Sequence, residues 1–192
     1  MIRKVLLAVC LVLTAFEAAR AGIPTECELA ILPNLIASPN GTIPTTFTFH
    51  GPSGPVSGLI IEVRYTAVAE NLACWCSGQV HPVLSDTTDA AGQVRFFISG
   101  GGCLEPAVIP GGVAVVVSLN GIPCREIGQV SPDVLNSTSP PCQVTLGDAV
   151  SYTHPLATAT YGFCYDLNSD LAVGLTDAVI FTTPASRAAT CP

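Results

Sequence analysis

Eight cysteines constrain this chain more than any other feature. Cys27, Cys74, Cys76, Cys103, Cys124, Cys142, Cys164 and Cys191 all follow an apolar N-terminal run that holds the ninth, Cys10. An even set behind an export leader reads as a disulfide framework whose connectivity spacing alone does not fix. The leader is legible in its own right. Arg3-Lys4 precede the run from Val5 to Phe16, and Ala19-Arg20-Ala21 ahead of Gly22 forms a small-residue cleavage site. The run is too short to span a bilayer comfortably. Residues 1–21 are expected to be a signal peptide, and the protein to be secreted, extracellular or at the cell surface.

Cleavage changes the charge balance. Of 7 basic and 14 acidic residues, the leader takes Arg3, Lys4, Arg20 and Glu17, leaving 4 and 13 and no lysine. A mature chain with a net charge near −9 is a poor partner for nucleic acid or anionic membranes.

Residues 22–128 carry the rhythm of short strands separated by turn residues, which points to a mainly β fold, a β-sandwich. Leu29 to Ile36 reads as an opening edge strand interrupted by Pro33. Thr45 to His50 alternates strictly, with Phe47 and Phe49 on one face, and Gly58 to Tyr65 sets Ile61, Val63 and Tyr65 opposite Ile60, Glu62 and Arg64. Gln79–Leu84, Gln93–Ile98 and Val113–Leu119 supply further strands, the last ending in the turn Asn120-Gly121. Thr88-Asp-Ala-Ala-Gly-Gln-Val-Arg-Phe96 resembles the turn and strand of bacterial immunoglobulin-like repeats. That resemblance implies a link between two sandwich strands, with Gly92 at positive φ.

Residues 129–192 form a second unit built around Asp166 to Asp177. Asp166, Asn168, Asp170 and Asp177 place side-chain oxygens at positions 1, 3, 5 and 12 of a twelve-residue loop, and Ala172 at position 7 offers its backbone carbonyl. Oxygens converging at that spacing suit calcium, a hard cation that takes six to eight of them. Val173 is expected to face inward. Leu171 occupies position 6, where such a loop's sharp turn takes glycine. The segment Leu146-Gly-Asp-Ala-Val150 repeats as Leu175-Thr-Asp-Ala-Val179, 29 residues on, with Asp148 on Asp177. Asp133 to Asp148 is four residues longer than Asp166 to Asp177, and Asp133, Asn136 and Asp148 are the candidates for a weaker second site. Cys164 with Cys191 is the expected disulfide, since it would tie together the two ends of the loop segment.

The loop and the single helix after it resemble an EF-hand half, and the tandem arrangement resembles a type I dockerin. That resemblance implies calcium-dependent folding and docking onto a cohesin-type or other surface protein, with Leu175 and Thr176 at the positions the family uses for recognition.

The remaining motifs carry less chemistry. Cys74-Trp-Cys76 lacks the C-x-x-C spacing of a zinc or redox site and reads as two bridges leaving one strand. His50, His81 and His154 share no spacing, and Glu62, Glu70, Glu105 and Glu126 are isolated carboxylates, so no enzyme is expected. Trp75, Tyr65 and Phe96 read as core aromatics, with a polysaccharide-stacking platform as the alternative.

Overall fold

The computed structural model describes residues 24–76, 83–135, 142–183 and 191. Residues 1–21, expected to be a signal peptide, Asn136 and residues 79–82 of the expected strand Gln79–Leu84 lie outside that set.

Two four-membered strand arrays dominate the chain. The first runs in the order β11-β1-β8-β2, with β1 at Leu35–Ser38, β2 at Pro44–Thr48, β8 at Gln93–Gly101 and β11 at Gln129–Val130. A short strand β6 (Cys74–Trp75) adds to the far end of β8. The second runs β10-β9-β5-β7, all antiparallel, with β5 at Ile60–Tyr65, β7 at Val83–Thr87, β9 at Val115–Leu119 and β10 at Ile122–Ile127. Minor pieces are the hairpin of β3 (His50–Gly51) and β4 (Gly54–Pro55), and the short helices α1 (Thr25–Glu28) and α2 (Ala67–Leu72). The C-terminal part holds α3 (Leu146–Thr158), a 3-10 turn (Phe163–Tyr165) and α4 (Leu175–Thr182).

Period-2 patterning decides which side chains enter the core. Phe47, Ile61, Val63, Tyr65, Val94, Phe96, Val115 and Val117 are all buried in one cluster fed by both sheets, while Ile60, Arg64 and Phe97 face out. The expected alternations of Gly58–Tyr65 and Gln93–Ile98 are therefore present. The opening strand is displaced. Residues 25–28 are helical, Ile31 makes a single bridge to Thr48, and pairing proper begins at Leu35. Pro33 has no N–H to give a ladder, so the chain enters the sheet only after it.

β1 is buried along its whole length because both of its faces are covered. Leu35 and Ala37 point into the cluster shared by the sheets, whereas Ile36 joins Val130, Leu167, Phe163 and Ile180 in a second cluster on the opposite face. β1 also runs parallel to both neighbours, β8 and β11, as strands covered on both sides commonly do. The 3-10 turn, the loop after it and α4 thus form a layer on the first sheet. Because β11 pairs with β1, that sheet continues to Val130, past the boundary expected at residue 128.

The turn between β7 and β8 carries the chain from one sheet to the other. Asp89 accepts backbone N–H bonds from Ala91 and Gln93 at 2.8 and 2.9 Å, and Gly92 sits at φ +70°. A Cβ there would collide with the Phe49 carbonyl, so glycine is required for space as well as conformation.

The cysteines pair as Cys27–Cys124, Cys74–Cys142, Cys76–Cys191 and Cys103–Cys164. Cys74 and Cys76 do leave one strand for two partners. The expected Cys164–Cys191 bridge is not made. The C-terminal part packs on the first sheet, so its cysteines reach across to the sheets instead of to each other: Cys164 meets Cys103 just after β8, and Cys191 meets Cys76 at the end of β6. Three of the four bridges therefore staple the layer to the sheets. Alkylation of the unreduced protein is expected to label no cysteine, and peptide mapping to return these four pairs. A Cys164–Cys191 peptide would overturn the arrangement.

Candidate calcium loop

The loop forms where the sequence places it. Asp166 follows the 3-10 turn, Leu167 and Val173 are buried as anchors, and Asp177 stands in the first turn of α4. Leu167 packs on Ile36 and Val130, and the Ser169 hydroxyl accepts the Asn34 N–H at 3.0 Å, so the loop is seated on β1 and its approach.

Carboxylate oxygens of Asp166, Asp170 and Asp177 lie within 4.8 Å of one another. Backbone donors hold each in place. Asp166 accepts from Asp170 and Leu171 at 3.0 and 2.9 Å, and Asp177 accepts from Asn168 and Gly174 at 3.1 and 2.9 Å. Asp170 accepts from Ala172 N–H and from the Asn168 amide, at 2.9 and 2.8 Å, while Asn168 Oδ1 accepts the Asp170 N–H. Each ionised carboxylate oxygen has more than one lone pair, so these bonds orient the oxygens and leave acceptor capacity pointing inward.

The electrostatics fit a cation. Asp166 and Asp177 are buried, and the one ion pair among the described residues, Arg64–Glu62 at 2.9 Å, lies elsewhere on an exposed strand face. Burial, together with the charges of Asp177 and Asp170, pushes the Asp166 carboxyl up from its ordinary value, against the two backbone bonds that lower it. Like charges gathered without a counter-charge are unfavourable unless a proton or a metal joins them. Three carboxylates, an amide and a carbonyl at positions 1, 3, 5, 7 and 12 supply the hard oxygen set that calcium takes.

Leu171 adopts the left-handed conformation at φ +67° with its side chain projecting into solvent. The loop keeps its turn without glycine and bears the strain. Leu171→Gly is expected to raise stability by roughly 0.5–1 kcal/mol. Relief of the left-handed cost, about 1–2 kcal/mol, outweighs the extra freedom glycine gives the unfolded chain, about 0.4–1 kcal/mol. Thermal melts check it, and a lower melting temperature would refute it.

The first repeat shares the frame, and among the described residues it brings two carboxylates, Asp133 and Asp148, together. Asp148 accepts from Leu135 N–H at 2.8 Å and from Thr145 N–H and Oγ1 at 2.7 and 2.6 Å, as Asp177 does from Asn168 and Gly174. Leu135 thus stands where Asn168 does, and Asn136, the residue expected to bind, falls outside the described residues. Asp133 is buried beside Asp148, and its Oδ2 has no hydrogen-bond partner among the described residues.

No protein-family model, curated protein or solved structure matches this chain. Leu175 and Thr176, expected to contact a partner, are both exposed at the start of α4. The repeat places equivalent apolar pairs on the two helices, Leu146 with Val150 and Leu175 with Val179, and all four are largely exposed. Sequence reasoning passed over this matched pattern although the repeat itself carried it. Of the aromatic trio, Tyr65 and Phe96 are buried, and Trp75 is half-buried with its indole N–H donated to the Glu70 carbonyl at 2.7 Å.

Proposed function

We propose that this chain is a secreted, non-catalytic calcium-binding protein, an immunoglobulin-like β-sandwich carrying a dockerin-like module that docks onto a cohesin-type or other surface protein. The observation that carries the calcium part is the convergence of Asp166, Asp170 and Asp177 oxygens within 4.8 Å, two of the three residues being buried and none of the three in an ion pair. The docking part is supported by the exposed Leu–Val pairs on α3 and α4. Large apolar side chains left in water on matching faces suit an interaction surface.

A structural role is the second reading, and a specific observation favours it. Three disulfides and the Ile36–Val130–Leu167 cluster fasten the module to the first sheet, so it acts as a fixed layer of the protein and not a tethered adaptor. Calorimetric titration of the mature protein with calcium tests the common ground of both readings, with one ion bound as the expected result and no heat as the result that defeats both. Sedimentation with calcium then separates them. A stoichiometric complex with a separate secreted receptor supports docking, whereas a lone monomer or a self-assembled particle supports the structural role.

A further inference from the structure

Tyr152, in the middle of α3, belongs to neither loop by sequence. Its ring stacks on Phe181 with centroids 4.9 Å apart and planes within 9°, and tilts against Tyr165 at 5.9 Å. Phe181 lies one helical turn beyond Asp177, and Tyr165 immediately precedes Asp166. The ring is therefore clamped between the two ends of the calcium loop. Tyr152 is only 4% exposed, yet its hydroxyl has no hydrogen-bond partner among the described residues. A buried hydroxyl left unpaired is costly and calls for an explanation at that spot. Burial first, and then the charges of Asp177 and Asp166, push its ionisation upward, so it stands as a neutral O–H donor in their field.

We infer that Tyr152 is a positioning residue for the loop: with calcium bound, its hydroxyl donates to a water in the ion's coordination shell or to a loop carboxylate that the ion has reoriented. The inference rests on the calcium reading proposed above. Every carboxylate oxygen of Asp166 and Asp177 already accepts a backbone N–H, and Tyr152 donates to none of them in this geometry. A hydrated ion in the loop supplies the acceptor that this hydroxyl lacks. The consequence is that the helix of the first repeat completes the site of the second, and α3 is coupled to the calcium of a loop that is not its own.

Tyr152→Phe keeps the stacked ring and removes only the hydroxyl. Outer partners of metal ligands commonly contribute a factor of about 10–100 in affinity, and the calcium dissociation constant is expected to rise about tenfold by calorimetry. Melting in chelator is the second readout. Removing an unpaired buried hydroxyl leaves the calcium-free protein as stable as wild type or slightly more so. Wild-type binding with an unchanged constant in Tyr152→Phe overturns the inference, as does a calcium-free variant that melts well below wild type, which would make Tyr152 structural. Absence of calcium binding by the wild-type protein instead removes the reading beneath it.

Discussion

Calcium is expected to raise the melting temperature of the mature protein, and Asp166→Ala to abolish that rise. A ligand that binds only the folded chain stabilises it by mass action, about 2.7 kcal/mol at a hundredfold excess over its dissociation constant. For a chain of this size that corresponds to a shift of roughly 5–10 °C. Three of the four disulfides join the helical layer to the sheets, so the shift should appear in one transition for the whole molecule. Magnesium should compete poorly, because it demands near-ideal octahedral geometry and gives up water reluctantly. Asp166→Ala also removes the acceptor for Asp170 and Leu171 N–H, so the calcium-free variant melts lower as well. The decisive quantity is therefore the calcium increment within each protein. Asp170→Asn guards the interpretation, since Asp170 is exposed: it should weaken calcium while leaving the chelated melt nearly unchanged. A wild-type melt that chelator does not alter would end the calcium reading.

Local signals were the legible ones. Alternation in Gly58–Tyr65 and Gln93–Ile98, the turn at Gly92 and the oxygen spacing of Asp166–Asp177 each encode a few adjacent residues, and each appears in the fold. What the sequence hid depends on who meets whom across the molecule. β1 is parallel to β8 and β11, and no local pattern announces a parallel pairing between residues 35–38 and 129–130. The disulfides hid for the same reason, with partners 61 to 115 residues apart brought together only after the layer settles on the sheet. Ile36 and Val130 look like ordinary core residues in the sequence, and only the packed layer makes them its footing. Tyr152 was invisible as part of the site because it comes from the other repeat.

Asp133→Asn is expected to reverse its stability relative to wild type between acid and mildly alkaline pH. Asp133 is buried, its Oδ2 unpartnered, at a place where the added Cβ of any residue replacing Gly101 would strike its carboxylate. Burial first, and then the neighbouring Asp148, raise its carboxyl from an ordinary 3.8 to about 7, against a backbone bond from Gln143 that lowers it. Below pH 3.8 the folded and unfolded chains both carry the proton and the group does nothing. Between 3.8 and about 7 the folded chain holds a proton the unfolded chain has lost, so stability falls as pH rises. The slope is at most about 1.4 kcal/mol per pH unit, and the full loss is on the order of 4 kcal/mol once both states are ionised. Asparagine keeps the shape and carries no charge, so the variant lacks this slope. At pH 4 it should match wild type or fall slightly below it, and at pH 8 it should exceed wild type by a few kcal/mol. Other raised carboxyls such as Asp166 add a similar slope to both proteins, which leaves the difference between the two denaturation curves as the measurement. Parallel curves from pH 4 to 8 would show that Asp133 ionises normally. Repeating the pH 8 comparison in an Asp166→Ala background with calcium decides the first loop's own role. If calcium there stabilises the chain that keeps Asp133 and not Asp133→Asn, a cation sits between Asp133 and Asp148. If neither responds, no cation sits there and the Cys74–Cys142 bridge constrains that loop in place of a metal.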